Sequence, residues 1–119
     1  MNGLKYLLDT NIIIGMYQHN PEVIDLMRSK QVHISQCAYS TVTRMELLSF
    51  PGITPTEEAS IHALLNRMAR LSITPDVEAQ TISFRRRHRT KLPDSIIAAT
   101  ASVHDLELLT MDKQLQAKP

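Results

Sequence analysis

The sequence predicts an α/β domain: a short central parallel sheet of about four strands, a three-layer arrangement with helices on both faces. Two observations carry this. Short apolar runs without helical spacing, beginning with Tyr6-Leu7-Leu8, read as strands buried on both faces. They alternate with longer stretches opened by helix caps, and that alternation gives parallel strands joined by right-handed crossovers. A length of 119 residues suits a single domain over residues 1–119, and 43% apolar content is enough for one core.

Asp9 closes the first strand, and Thr10 and Asn11 read as turn and cap residues before a short helix from Ile12 to Tyr17. Asn20-Pro21-Glu22 supplies cap, first position and first-turn acid of a second helix reaching about Lys30. Cys37-Ala38-Tyr39 reads as the second strand, with Val32-His33-Ile34 competing for that assignment. A helix from about Thr41 to Phe50 stops at Pro51-Gly52. Thr54-Pro55-Thr56-Glu57 forms a capping box opening a helix through Ile61, Leu64, Leu65 and Met68. Leu71 to Thr74 is the third strand. Pro75 starts a helix ending in a basic run, and Pro93 starts another, with Ser95 available to cap it. Leu106 to Thr110 is the fourth strand, and Met111 to about Gln116 a final turn of helix.

Composition excludes several classes. The lone Cys37 allows neither an internal disulfide nor a cysteine-rich metal site, and reads as inert packing in a reducing cytoplasm. No apolar stretch approaches the roughly 18 residues of a membrane span, and Asp9 interrupts any signal-like N-terminus. The expected location is cytoplasmic, with no membrane partner. Net charge is +1, but Arg85, Arg86, Arg87, Arg89 and Lys91 place five positive charges within seven residues around His88. The remaining eight basic residues face twelve acidic ones. Such segregation points to a polyanion partner, although a solvated helix face is an equal reading of the run alone.

Four acids recur at matching places. Asp9 stands beyond the carboxyl end of the first strand, where open α/β sheets bind ligands. Glu46 lies between Val42 and Phe50 on one i, i+4 line of a helix apolar nearly all round, a costly place for an unpaired carboxylate. Asp94 opens a helix whose Ala98 and Ala101 continue its face inward. Asp112 follows the last strand on the same side as Asp9, whereas Asp105 and Glu107 precede that strand and are excluded. Each acid also has a plainer reading: a helix cap for Asp9, Asp94 or Asp112, and a stem lying flat for Glu46. Four carboxylates meeting at one edge repel unless a cation neutralises them, and hard oxygen donors select Mg²⁺ or Mn²⁺. One or two such ions around a phosphate would activate water for phosphodiester hydrolysis, with the basic run holding the backbone.

Leu7-Leu8-Asp9-Thr10-Asn11, Thr43-Arg44-Met45-Glu46-Leu47-Leu48, the run Leu92-Pro93-Asp94-Ser95-Ile96-Ile97-Ala98-Ala99-Thr100-Ala101, and Leu109-Thr110-Met111-Asp112 resemble, in that order, a PIN domain. Within that superfamily the chain is similar to a VapC-type toxin of a bacterial toxin–antitoxin pair. The resemblance implies a Mg²⁺- or Mn²⁺-dependent endoribonuclease with an acidic quartet at Asp9, Glu46, Asp94 and Asp112. Thr10, Asn11 and Thr110 match polar positions that support the site. It further implies a structured RNA substrate, homodimerisation, and a cognate antitoxin whose tail occupies the acidic groove. Arg85, Arg86, Arg87, His88, Arg89 and Lys91 are then the expected RNA contacts. Ser95 stands where the family usually has alanine, and relatives often add one more edge strand where this sequence stops at Pro119. Two other readings remain open. A non-catalytic module would keep the acidic pocket for a partner's arginine. A phospho-acceptor domain would want paired acids after the first strand and a lysine on the last, where Asp9 stands alone and Thr110 sits.

Overall fold

A computed structural model describes residues 3–116. Its sheet has four parallel strands in the order β3-β2-β1-β4: β1 (Tyr6–Leu8), β2 (Cys37–Ser40), β3 (Ala69–Leu71) and β4 (Glu107–Leu109). Helices α1 (Thr10–Tyr17) and α2 (Pro21–Ser29) join β1 to β2, and α3 (Thr41–Leu48) and α4 (Pro55–Leu65) join β2 to β3. The return to the far side of β1 runs through α5 (Pro75–His88) and α6 (Leu92–Val103), and α7 (Lys113–Gln116) follows β4. The predicted class, strand number and parallel order all hold.

Alternation along β1 divides the core in two, because successive strand residues face opposite ways. Leu8 joins Ile12, Ile13, Val23, Tyr39, Leu47, Ile61 and Leu65 on the face covered by α1, α2 and α4. Leu7 and Ala38 meet Val42, Ile97 and Ala101 on the face covered by α6. The chain moves outward from β1 to β3 and then crosses back to β4, so the strand order reverses between β1 and β4. Ligand sites of open α/β sheets form at such a reversal, outside the carboxyl ends. Among the described residues no helix is long and apolar enough to cross a membrane.

Several predicted boundaries shift. Thr10 and Asn11 belong to the first turn of α1, not to a turn before it, because the Asp9 side chain already caps that helix. Val32-His33-Ile34 is no strand; a 3₁₀ turn at Ile34–Gln36 leads into β2. The third strand is Ala69–Leu71 rather than Leu71 to Thr74, since the Thr74 hydroxyl accepts from the Val77 N–H and caps α5. Helix α3 ends at Leu48, before Phe50. The fourth strand stops at Leu109, and the last helix begins at Lys113 rather than Met111. Other signals were placed as expected: Asn20 caps α2, and Thr54 and Glu57 form a reciprocal capping box on α4. Cys37 is fully buried in β2, and burial pushes its thiol up to about 11, so it remains protonated packing.

Candidate active site

Asp9 is the centre of the arrangement. It follows β1 directly, its N–H continues the sheet by donating to the Leu109 carbonyl (2.9 Å), and its side chain is 5% exposed. Both carboxylate oxygens are held. Oδ1 accepts from the Thr10 N–H at 2.7 Å, and Oδ2 accepts from the Thr110 hydroxyl at 2.6 Å. Asp9 is thus both the cap of α1 and a buried carboxylate, so the two readings of it are one.

Thr110, buried just after β4, ties the two sides of the strand reversal together. Having given its proton to Asp9, its oxygen accepts from the Asp112 N–H at 3.0 Å and, more weakly, from Asn11 Nδ2 at 3.5 Å. Asn11 Oδ1 in turn accepts from the Met111 N–H at 3.2 Å. The Asp9 position is therefore fixed by a polar bridge between α1 and the segment after β4.

Thr10 reaches the other way. Its hydroxyl donates to Glu46 Oε1 at 2.6 Å and lies 3.0 Å from the Thr43 hydroxyl. A hydroxyl has one proton. Glu46 and Thr43 therefore share the Thr10 proton, with the shorter contact to the carboxylate. Thr43 is fully buried on α3, one turn before Glu46, and was not singled out from sequence. The available signal was its i, i+3 spacing to the acid. Glu46 itself is exposed, which corrects the expectation of a carboxylate enclosed in an apolar stripe: Val42 on its line is buried, but Phe50 is 69% and Met45 52% exposed. Helix α3 lies at the margin of the molecule, so its outward apolar residues meet water.

Asp94 sits half-buried in the first turn of α6. That helix feeds β4 through a short link at its C-terminus, so its N-terminus lies towards the carboxyl ends of the strands, with Asp9. Ser95 does not cap it: the buried hydroxyl donates back to the Lys91 carbonyl (2.9 Å) and pairs with the Thr90 hydroxyl. Asp112 is exposed, and its Oδ1 accepts from the Gln114 and Leu115 N–H groups, capping α7. Glu107 opens β4 at the opposite end of the sheet, paired with Lys30 at 2.7 Å, as its exclusion requires.

Electrostatics join three of these acids. Desolvation raises the Asp9 carboxyl above its usual value. Hydrogen bonds from Thr110 and Thr10 oppose the rise, and the charges of Asp94 and Glu46 reinforce it. Those two carboxylates are near enough to feel Asp9, yet among the described residues no three His, Cys, Asp or Glu side chains close around one point. The donors themselves are of the kind a hard divalent cation takes: carboxylate oxygens, with those of Asp9 held by hydrogen bonds that leave lone pairs for a metal or its water.

The basic run closes α5 and the link to α6, immediately before Asp94. Arg85, Arg86, Arg87, Arg89 and Lys91 are exposed. Two of them have intramolecular bonds: Arg85 Nε donates to the Thr90 carbonyl and Arg87 Nη1 to the Ser83 hydroxyl. His88 is half-buried with its ring 4.5 Å from that of Phe84, so it belongs to the α5 packing more than to the surface.

The PIN domain model matches residues 6–119. No curated protein matches the chain in sequence. Among solved structures, the chain is similar to a toxin–antitoxin complex from Klebsiella pneumoniae, with 29% identity and a TM-score of 0.82 over 95% of this chain and 91% of that one. It also shares its fold with DNA-bound VapBC from Salmonella typhimurium, at 20% identity and TM-score 0.79 over 98% and 93% of the two chains. VapBC2 from Rickettsia felis bound to a promoter DNA fragment aligns at 17% identity and TM-score 0.78 over 98% and 94%. With the family model covering almost the whole sequence, the chain belongs to the PIN domain family.

Proposed function

We propose that the protein is a divalent-metal-dependent endoribonuclease acting as the VapC-type toxin of a toxin–antitoxin pair. The observation that carries the reading is the Asp9 carboxylate, buried at the strand reversal with Asp94 and Glu46 close enough to raise its pKa. As an anion such a group is costly, and a bound cation would offset that cost.

Asp9, Glu46 and Asp94 would hold Mg²⁺ or Mn²⁺ directly or through water, with Asp112 completing the set from the end of β4. When bound, the ion supplies Lewis acidity, lowering the pKa of water and neutralising charge on a phosphate. The chain's own residues do the rest. Thr110 and the Thr10 N–H fix the orientation of Asp9, and the Thr43–Thr10 pair fixes Glu46. Arg89 and Lys91, on the link leading to α6, and Arg86 near the end of α5 would hold the RNA backbone, with Arg85, Arg87 and His88 of the same run beside them. The antitoxin reading draws support from the complex with which the chain shares 29% identity. A cytoplasmic homodimer completes the proposal.

The test is cleavage of total bacterial RNA with Mn²⁺, compared with excess EDTA and with the Asp9→Asn variant. Discrete fragments are expected only from the intact protein with metal. Cleavage that persists in the variant or in EDTA would refute a nuclease built on these acids.

A further inference from the structure

A cavity of about 160 Å³ lies between α1, α3 and α4 and is lined in part by Glu46 itself. We propose that it receives one unstacked nucleobase of the RNA, from a nucleotide adjoining the phosphate held at the acids. The inference rests on the ribonuclease reading and adds a base-binding subsite to it.

Size, walls and charge each bear on the occupant. An apolar cavity of about 150 Å³ takes up a benzene-sized ring, so this one suits a single ring system and not a folded segment of chain. Its walls are Ile14, Leu47, Ile53 and Ile61, with Phe50 at the side. Phe50 leaves 69% of its surface exposed just past the end of α3. Aromatic side chains presented this way are the stacking platforms of single-stranded nucleic acid sites, tolerant of sequence because every base has a π-face. The lining includes the carboxylates of Glu46 and Glu57 and no cationic side chain. A phosphodiester is repelled there, whereas a neutral base bearing amino groups is not. Glu57 keeps one oxygen on the Thr54 N–H and leaves acceptor capacity at the other, and Gln18 adds both a donor and an acceptor. Continuity decides between a base and a partner's side chain. Glu46 belongs both to this cavity and, through Thr10, to the polar frame of Asp9, so the cavity adjoins the acids that would hold the substrate phosphate.

The sequence contains no tryptophan, so Phe50→Trp introduces a single indole into the cavity wall. The probe is a 2′-O-methyl RNA oligonucleotide of mixed sequence, which resists cleavage, set against an abasic backbone of equal length and charge. Quenching of the indole by the base-bearing oligomer and not by the abasic one is expected. Phe50→Ala, with an unchanged circular dichroism spectrum, should weaken binding of the oligomer by roughly 5- to 150-fold, the range for loss of one stacked base. Phe50→Tyr should retain binding. Equal response to both oligomers, or none to either, would overturn the subsite. An indole response to an amphipathic helical peptide but not to RNA would overturn it too, and would assign the cavity to a protein partner. The two proposals separate cleanly: quenching without cleavage of total RNA leaves the subsite and removes the nuclease, and cleavage without quenching does the reverse.

Discussion

Asp9 is stabilised in place by two hydrogen bonds and destabilised as an anion by burial and by the charges of Asp94 and Glu46. Its folded-state pKa lies above the ordinary 3.8, so the native state binds the proton more tightly than the unfolded chain does. The resulting stabilisation is fully present below pH 3.8 and is lost as pH rises through the folded pKa. Above that pKa the buried anion is a liability that Asp9→Asn removes. Urea melts in EDTA should therefore show the Asn variant more stable than the wild type at neutral pH. The difference should shrink as pH falls toward 3.8. A variant less stable at pH 7 would mean that the two hydrogen bonds outweigh burial and repulsion. Sequence revealed Asp9 because position after a strand is a one-dimensional property. It did not reveal Thr43, whose role depends on a hydroxyl meeting Thr10 across two elements. Nor did it reveal that Glu46 is exposed, since an apolar helix at the margin of a molecule has the same composition as one in its core.

Elements marked by side-chain caps were legible, because a cap is a local hydrogen bond written in adjacent residues: Asn20 and Thr54 each accept from their own first turn. Strands were less so. Those of three residues offer no periodicity, which is why β3 was displaced towards Thr74. Helix α1 shows an element-level constraint with a clear consequence. It crosses α2 at Gly15, where a Cβ would stand 2.4 Å from Val23 Cγ2 and 2.8 Å from Val23 Cβ. Helix propensity alone favours Gly15→Ala by about 1 kcal/mol, but overpacking a tight contact costs about 1–3 kcal/mol. Here Val23 is almost completely buried and the clash reaches its Cβ, so overpacking should prevail. Gly15→Ala is expected to lower unfolding stability by about 1 kcal/mol net, and Gly15→Ala combined with Val23→Ala to show a favourable coupling in a double-mutant cycle. A single variant as stable as the wild type would place the contact among those that relax freely. The shift matters for function because α1 carries Thr10 and Asn11 in its first turn, while its far end is anchored on α2.

At the scale of the molecule, topology explains why Asp9 feels the charges of Glu46 and Asp94. Parallel strands point every carboxyl end the same way, the reversal between β1 and β4 opens a crevice there, and α6 returns with its first turn on that side. This convergence was legible from element order alone, with no long-range contact known. The cap that Asp112 makes on α7 is one of the readings its sequence position offered, although that four-residue helix starts two residues later than expected. Convergence is also what a bound ion measures most directly. Calorimetric titration of Mn²⁺ into the wild type should reveal binding, with Asp9→Asn and Asp94→Asn each weakening it by about tenfold or more, as even outer-shell partners of metal ligands do. Asp112→Asn should weaken it less. Equal affinity in all four proteins, or no binding to the wild type at millimolar Mn²⁺, would contradict a metal centre at the strand reversal.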